Sequence, residues 1–138
     1  MKEYKRIWTE QDFEIMGWHD CRLYGINFLK EAFTLELNID YIFNWNLNEG
    51  EESGHEFTVA PCLLKFIDYS HLEVNIPWGQ TYDFIISEIR RTEPVSVPSA
   101  TINLTAYEII LETGYIKLQA ARLKMDLLAE PVVFETQD

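Results

Sequence analysis

Trp18-His19-Asp20 is the first place in the chain where the residue types could do chemistry. An imidazole beside a carboxylate can act as a base or hold a metal ion, and a second carboxylate could complete such a site. Adjacent side chains of a strand point to opposite faces, so the pair is not a ready-made dyad. As plain structure it is the turn from a helix into a strand. Asp40 is the third candidate. It stands on the polar side of an alternating segment, with Glu36 and Asn38 before it and Asn44 after it. If that side lines a cleft or a barrel mouth, His19, Asp20 and Asp40 form a polar site; if it faces water, they form none.

The remaining chemistry-bearing residues point elsewhere. His55 lies among Glu51, Glu52 and Glu56 and could collect a cation adventitiously. No H-x-x-x-H spacing or two-histidine, one-carboxylate pattern occurs, so no dedicated metal centre is expected. Cys21 and Cys62 are far apart, sit in apolar segments and form no C-x-x-C pair, which argues against zinc. Cys62 has only Lys65 as a nearby base and reads as a buried core thiol. There is no G-x-S-x-G elbow, P-loop or G-x-G-x-x-G, and no cofactor is expected. Trp45 and Trp78 stand where elements end, and with Glu49, Glu51 and Glu52 they form the candidate protein interface.

A net charge of −12 over 138 residues bounds the partners. It repels nucleic acid, which needs clustered Lys and Arg, and it repels anionic lipid. From Glu31 to Leu64 there is no Lys or Arg at all. A field of that sign steers basic proteins or cations, or simply keeps the chain in solution. The N-terminus is charged and lacks an apolar run, so neither a signal peptide nor a membrane span is expected. The default is a cytoplasmic protein with reduced thiols.

These residues need elements to hold them. The length suits one domain, and the aromatic fraction of 14% leans toward a β-rich fold. Phe33, Leu35, Leu37, Ile39, Tyr41, Phe43 and Trp45 alternate with polar residues, Ile42 being the exception, which places them on one face of a long strand. Straight, it would span roughly 40 Å, so it should bend. A short helix is expected over about 10–16, capped by Thr9 and Asp12, packed through Trp8, Phe13 and Met16, and closed by Gly17 in a left-handed conformation. Further strands are expected near Cys21–Leu29, over Phe57–Phe66 with Pro61 at an edge or bulge, through Leu72, Val74, Ile76 and Trp78, and over Asp83–Arg91. Two more run near Ile102–Glu112 and Tyr115–Leu127. The last has helical content, yet Ile116/Leu118 and Leu123/Met125/Leu127 alternate on opposite parities, which predicts a strand with a bulge near Ala120-Ala121. An acidic loop (46–55), a proline linker (93–99) and a flexible tail (129–138) complete a single domain. The expected class is mainly β: an antiparallel sandwich or partly closed barrel of about seven strands with one short N-terminal helix.

Met16-Gly17-Trp18-His19-Asp20-Cys21, then Tyr24-Gly25-Ile26, then Leu37-Asn38-Ile39-Asp40-Tyr41-Ile42-Phe43-Asn44-Trp45 resemble a group of small uncharacterised bacterial proteins. In that group a W-H-D step is followed by a D-I-D-Y-I-x-x-W-like strand, and Val59-Ala60-Pro61-Cys62-Leu63-Leu64 looks like the strand after it. Asn38 here replaces the more usual Asp. The resemblance implies strands and a bacterial origin; it implies no activity.

Two functional classes follow. The first is a non-enzymatic, acidic protein-binding domain, similar to immunity proteins that neutralise basic toxins. The second is a small-molecule or metal-binding β-barrel, with a hydrolase activity at His19, Asp20 and Asp40. An exposed edge on the long strand would also allow a homodimer.

Overall fold

The structure, a computed structural model, describes residues 5–29, 33–43, 56–77, 79, 84–92 and 104–135. It is built from strands β1 (Ile7–Thr9), β2 (Cys21–Leu29), β3 (Thr34–Ile42), β4 (Glu56–Ile67), β5 (Ser70–Asn75), β6 (Phe84–Arg91), β7 (Thr105–Leu111), β8 (Gly114–Ala120), β9 (Arg122–Leu127) and β10 (Val132–Glu135), with a 3₁₀ helix at Glu10–Ile15. They form one antiparallel sheet in the order β1-β9-β4-β3-β2-β6-β7-β8-β5, and β10 pairs with β4 beyond the end of β9. Among the described residues the sheet is not closed, since its path ends on β1 and β5.

The alternation in β3 works as the sequence predicts: Leu35, Leu37, Ile39 and Tyr41 are buried, and Glu36, Asn38 and Asp40 lie half-buried on the other side. Phe33 departs from the pattern. It occupies the turn before β3 with a φ of 47° and is 68% exposed, so the inward run begins at Leu35. Trp45, at the far end, lies outside the described residues.

The sheet curls on itself. β4 and β7 stand four places apart in the order, about 19 Å across a flat sheet at about 4.8 Å per strand. Yet the rings of Phe66 on β4 and Tyr107 on β7 lie 5.1 Å apart. One hydrophobic cluster fills the inside, with Phe66, Leu35, Leu37, Leu64, Ile86, Ile109, Ile116 and Met125 inaccessible to water.

Two corners make the curl. At Ala121 the chain leaves β8, which pairs with β7, and enters β9, which pairs with β4. Ile116, Leu118 and Ala120 are buried before the corner, and Leu123, Met125 and Leu127 after it. The change of parity at Ala120-Ala121 is therefore a break between two strands. On the other side, among the described residues, β2 pairs with β6 through Cys21, Arg22 and Leu23. A register shift between Leu23 and Gly25 marks a bulge at Tyr24, which kinks β2 and switches its parity from Leu23 to Ile26.

Other expectations need correction. The strand count exceeds seven because the corner splits one segment and because β1 and β10 are too short to show a period. Residues 132–135, assigned from sequence to a tail, form β10. The helix is a six-residue 3₁₀ segment, with the Thr9/Asp12 capping box in place. It ends at an extended Met16, without a left-handed Gly17; the Gly17 amide instead donates to the Tyr41 hydroxyl (3.0 Å). Arg91 pins the segment by donating to Glu10 O (2.7 Å) and Glu14 Oε1 (2.8 Å), with its guanidinium 4.5 Å over the Phe13 ring.

Pro61 is neither at a sheet edge nor in a bulge. β3 covers one side of β4 through Pro61, while β9 reaches only Cys62 and β10 only Val59 on the other. The Pro61 carbonyl accepts from Leu128 N–H (2.9 Å) where the chain crosses from β9 to β10. A residue's N and O point to the same side of a strand, so the missing N–H faces that crossing, where no ladder bond is lost.

Candidate functional site

The Trp18-His19-Asp20 step is a turn, fixed by Cys21 N–H to Trp18 O (3.1 Å), Asp20 N–H to Ile86 O (2.8 Å) and a left-handed Asp20 with φ 66°. Because the chain turns, the His19 and Asp20 side chains do approach, with Nε2 to Oδ2 at 3.6 Å and both groups exposed. Trp18 points inward and is buried, its ring edge-on to Tyr41 at 5.5 Å. Its indole N–H meets no acceptor among the described residues.

Tyr41 ties the two halves of the W-H-D pattern together. Its ring packs on Trp18 and on Trp8 (5.8 Å), and its hydroxyl accepts from the residue before Trp18. These conspicuous sequence features are thus joined through a core contact.

Asp40 belongs to a separate group. It lies opposite Arg22 in the β2–β3 register and accepts a hydrogen bond from the Tyr24 hydroxyl. The bulge brings Tyr24 there, and partial desolvation of its hydroxyl with the neighbouring Asp40 carboxylate holds its phenol above the ordinary range. Further along the outer face Lys65 stands 4.0 Å from Glu36 and 3.3 Å from Asp126. The structure thus pairs His19 with Asp20, and Asp40 with Tyr24. Trp45, Glu49, Glu51, Glu52 and Trp78 lie outside the described residues. Among the described residues no group of three metal-ligating side chains occurs, and no helix is long and apolar enough to cross a membrane.

Sequence reading missed two grooves. One, of about 570 Å³, crosses the outer face of β6, β7, β8 and β5. Arg90, Glu108, Lys117 and Glu73 follow one another there across four strands in register, so the charges alternate and neutralise one another. The other, of about 500 Å³, is apolar and lies beside the second half of β2, walled by Tyr24, Ile26, Phe28, Val74, Ile76 and Phe84. The imperfect alternation of Leu23, Tyr24, Ile26 and Phe28 is its trace in the sequence.

Cys21 and Cys62 are free and buried, on strands separated by β3. Two strand spacings exceed the roughly 7 Å a disulfide can span. Burial pushes both thiols up to about 12, and the Tyr41 phenol likewise to about 12. The folded protein therefore keeps protons that the unfolded chain releases from about pH 8.5 for Cys and about pH 10 for Tyr. Their contribution to stability is intact below about pH 8.5 and is lost as pH rises toward 12. The midpoint of urea denaturation should fall steadily over that window, and a Cys21→Ala/Cys62→Ala variant should show a shallower fall. Native thiols should also resist an aromatic disulfide reagent at pH 8 until urea unfolds the chain.

Comparison with protein-family models, with curated proteins and with solved structures returns no match to this chain.

Proposed function

We propose that the chain is a non-enzymatic, acidic protein-binding domain that engages a basic partner, in the manner of an immunity protein. The curled sheet reads as a partly closed barrel whose inside is occupied by its own side chains, so function falls to the outer surface. The observation that carries the reading is how the charge is distributed. Lys5, Arg6, Lys65, Arg90, Arg91, Lys117 and Lys124 each stand beside a carboxylate of the same chain. The cations are thereby locally offset, which leaves the chain's surplus of twelve carboxylates to set the sign of its surface. Such a surface speeds the approach of a basic protein and rejects acidic ones.

Capture from a bacterial lysate at about 50 mM and about 500 mM salt tests this, because screening shortens the reach of surface charge roughly threefold over that range. A basic partner should be held at low salt and released at high salt. Replacing Glu49, Glu51 and Glu52 by Gln should weaken its capture if the acidic segment takes part, as the sequence suggests. Absence of any salt-sensitive basic partner sinks the proposal. The alternative, a ligand-binding barrel with hydrolase chemistry at His19, Asp20 and Asp40, draws only on the exposed 3.6 Å His19–Asp20 approach.

A further inference from the structure

Large apolar side chains reach the surface at the apolar groove and at the neighbouring hairpin end. Tyr24 is 58% exposed, Phe28 59% and Val74 36%, and all three line the groove. Phe33 stands at the far end of β2 and β3, more exposed still and in the left-handed region. A bulky side chain is strained in that region, and such strain persists where function retains it. Asn or Gly would suit Phe33's backbone better and would leave no aromatic ring in water. Exposed aromatics around a groove are the usual anchors of a protein interface.

We infer that the surface formed by Tyr24, Phe28, Phe33 and Val74 is where the basic partner docks, and that the docked element is an aromatic side chain flanked by lysine or arginine. This rests on the acidic protein-binding reading given above. Charge selects the occupant. The Tyr24 hydroxyl is bonded to the Asp40 carboxylate. Asp68 lies beside Phe33, because Tyr69 N–H donates to Phe33 O (3.2 Å). An ammonium or guanidinium laid on the Tyr24 ring meets an aromatic face with the Asp40 carboxylate at its edge. Arg22 already sits across from Asp40 in register, so that carboxylate has a cationic neighbour within the chain itself. A second copy is a poor occupant, since it would bring another −12 against the first. The groove has room for one or two side chains at about 500 Å³, which suits an anchor rather than a whole folded face.

The test is an NMR titration of the intact protein with two capped tripeptides, Lys-Trp-Lys and Glu-Trp-Glu. Lys-Trp-Lys should give saturable shifts at the amides of Tyr24, Phe28, Phe33 and Val74, weakened by salt, and Glu-Trp-Glu should give none. Phe28→Ser should weaken the Lys-Trp-Lys interaction roughly tenfold. Tyr24→Ser provides a second exposed variant should Phe28→Ser fold poorly. The inference is overturned if neither peptide binds, if both bind alike, if the shifts fall elsewhere, or if the same amides move on concentrating the protein alone. A captured basic partner that is indifferent to both variants overturns this surface while leaving the acidic-binding reading in place. Failure to find any salt-sensitive partner removes that reading, whatever the peptides do.

Discussion

Phe66→Ala should destabilise the protein by about 3–5 kcal/mol, the range for truncating a fully buried phenylalanine. Phe66 is wholly inaccessible, lies between Leu35 on β3 and Leu123 on β9 in register, and meets Tyr107 from the opposite wall. Removing the ring forfeits its transfer from water, about 1.5–3 kcal/mol. It also leaves a void that cannot collapse, because β4 is held on both sides by hydrogen-bonded strands. A domain of this size has roughly 5–15 kcal/mol in hand, so the urea midpoint should drop by about a fifth or more with the slope unchanged. Phe66→Leu keeps most of the volume and should cost less than about 1.5 kcal/mol. Phe33 gives the opposite result with the same residue type. Phe33→Asn removes an exposed ring and relieves a left-handed backbone, so stability should stay level or rise by up to about 1 kcal/mol. Equal losses at the two phenylalanines would overturn the assignment of inside and outside.

The pair also shows where sequence reading works and where it stops. Alternation gives the inside of a strand reliably over Leu35–Tyr41, because every second residue answers to one core. It fails at Phe33, because periodicity cannot report that the chain has turned and carried the side chain out of register. The change of parity at Ala120-Ala121 is legible in the sequence, and β2 shows there only an imperfect alternation. What they produce, a bulge at Tyr24 in one case and a corner at Ala121 in the other, depends on which strand is waiting beyond, and that is nonlocal. The tolerance of Pro61 depends in the same way on a gap between β9 and β10, two strands far away in sequence. The groups proposed for chemistry were visible as residue types, but their partners were not. His19 meets Asp20 because of a turn, Asp40 meets Tyr24 because of a bulge, and Trp18 meets Tyr41 across the core.

Gly114→Ala should be the most damaging single-methyl addition among the described glycines. Gly114 opens β8 after the turn from β7, facing Leu111 across the hairpin, while its neighbour Tyr115 pairs with Asn75 on β5. A Cβ at Gly114 would fall 2.2 Å from the Asn75 carbonyl oxygen and 3.2 Å from both Asn75 C and Ile76 Cα. All three are backbone atoms, so no rotamer change makes room; either β5 moves away or the hairpin distorts. The expected loss is about 3 kcal/mol, the upper end for forcing one extra carbon into a packed site. Gly79 makes the comparison. Its φ of 87° disfavours a side chain but nothing lies within 4 Å, so Gly79→Ala should lose only about 1 kcal/mol, through backbone strain alone. Asn75→Ala should not rescue Gly114→Ala, because the atoms struck belong to the main chain. Hydrogen exchange locates the damage: amides of Ser70–Asn75 and of β8 should lose protection while those of β3 and β4 keep theirs. An unchanged urea midpoint with unchanged protection in β5 would show that the two strands do not approach as closely as this. Val74 and Ile76 flank Asn75 and form one wall of the apolar groove. The close approach at Gly114 therefore sets the width of that groove, and Gly114→Ala should weaken Lys-Trp-Lys binding even at temperatures where the fold survives.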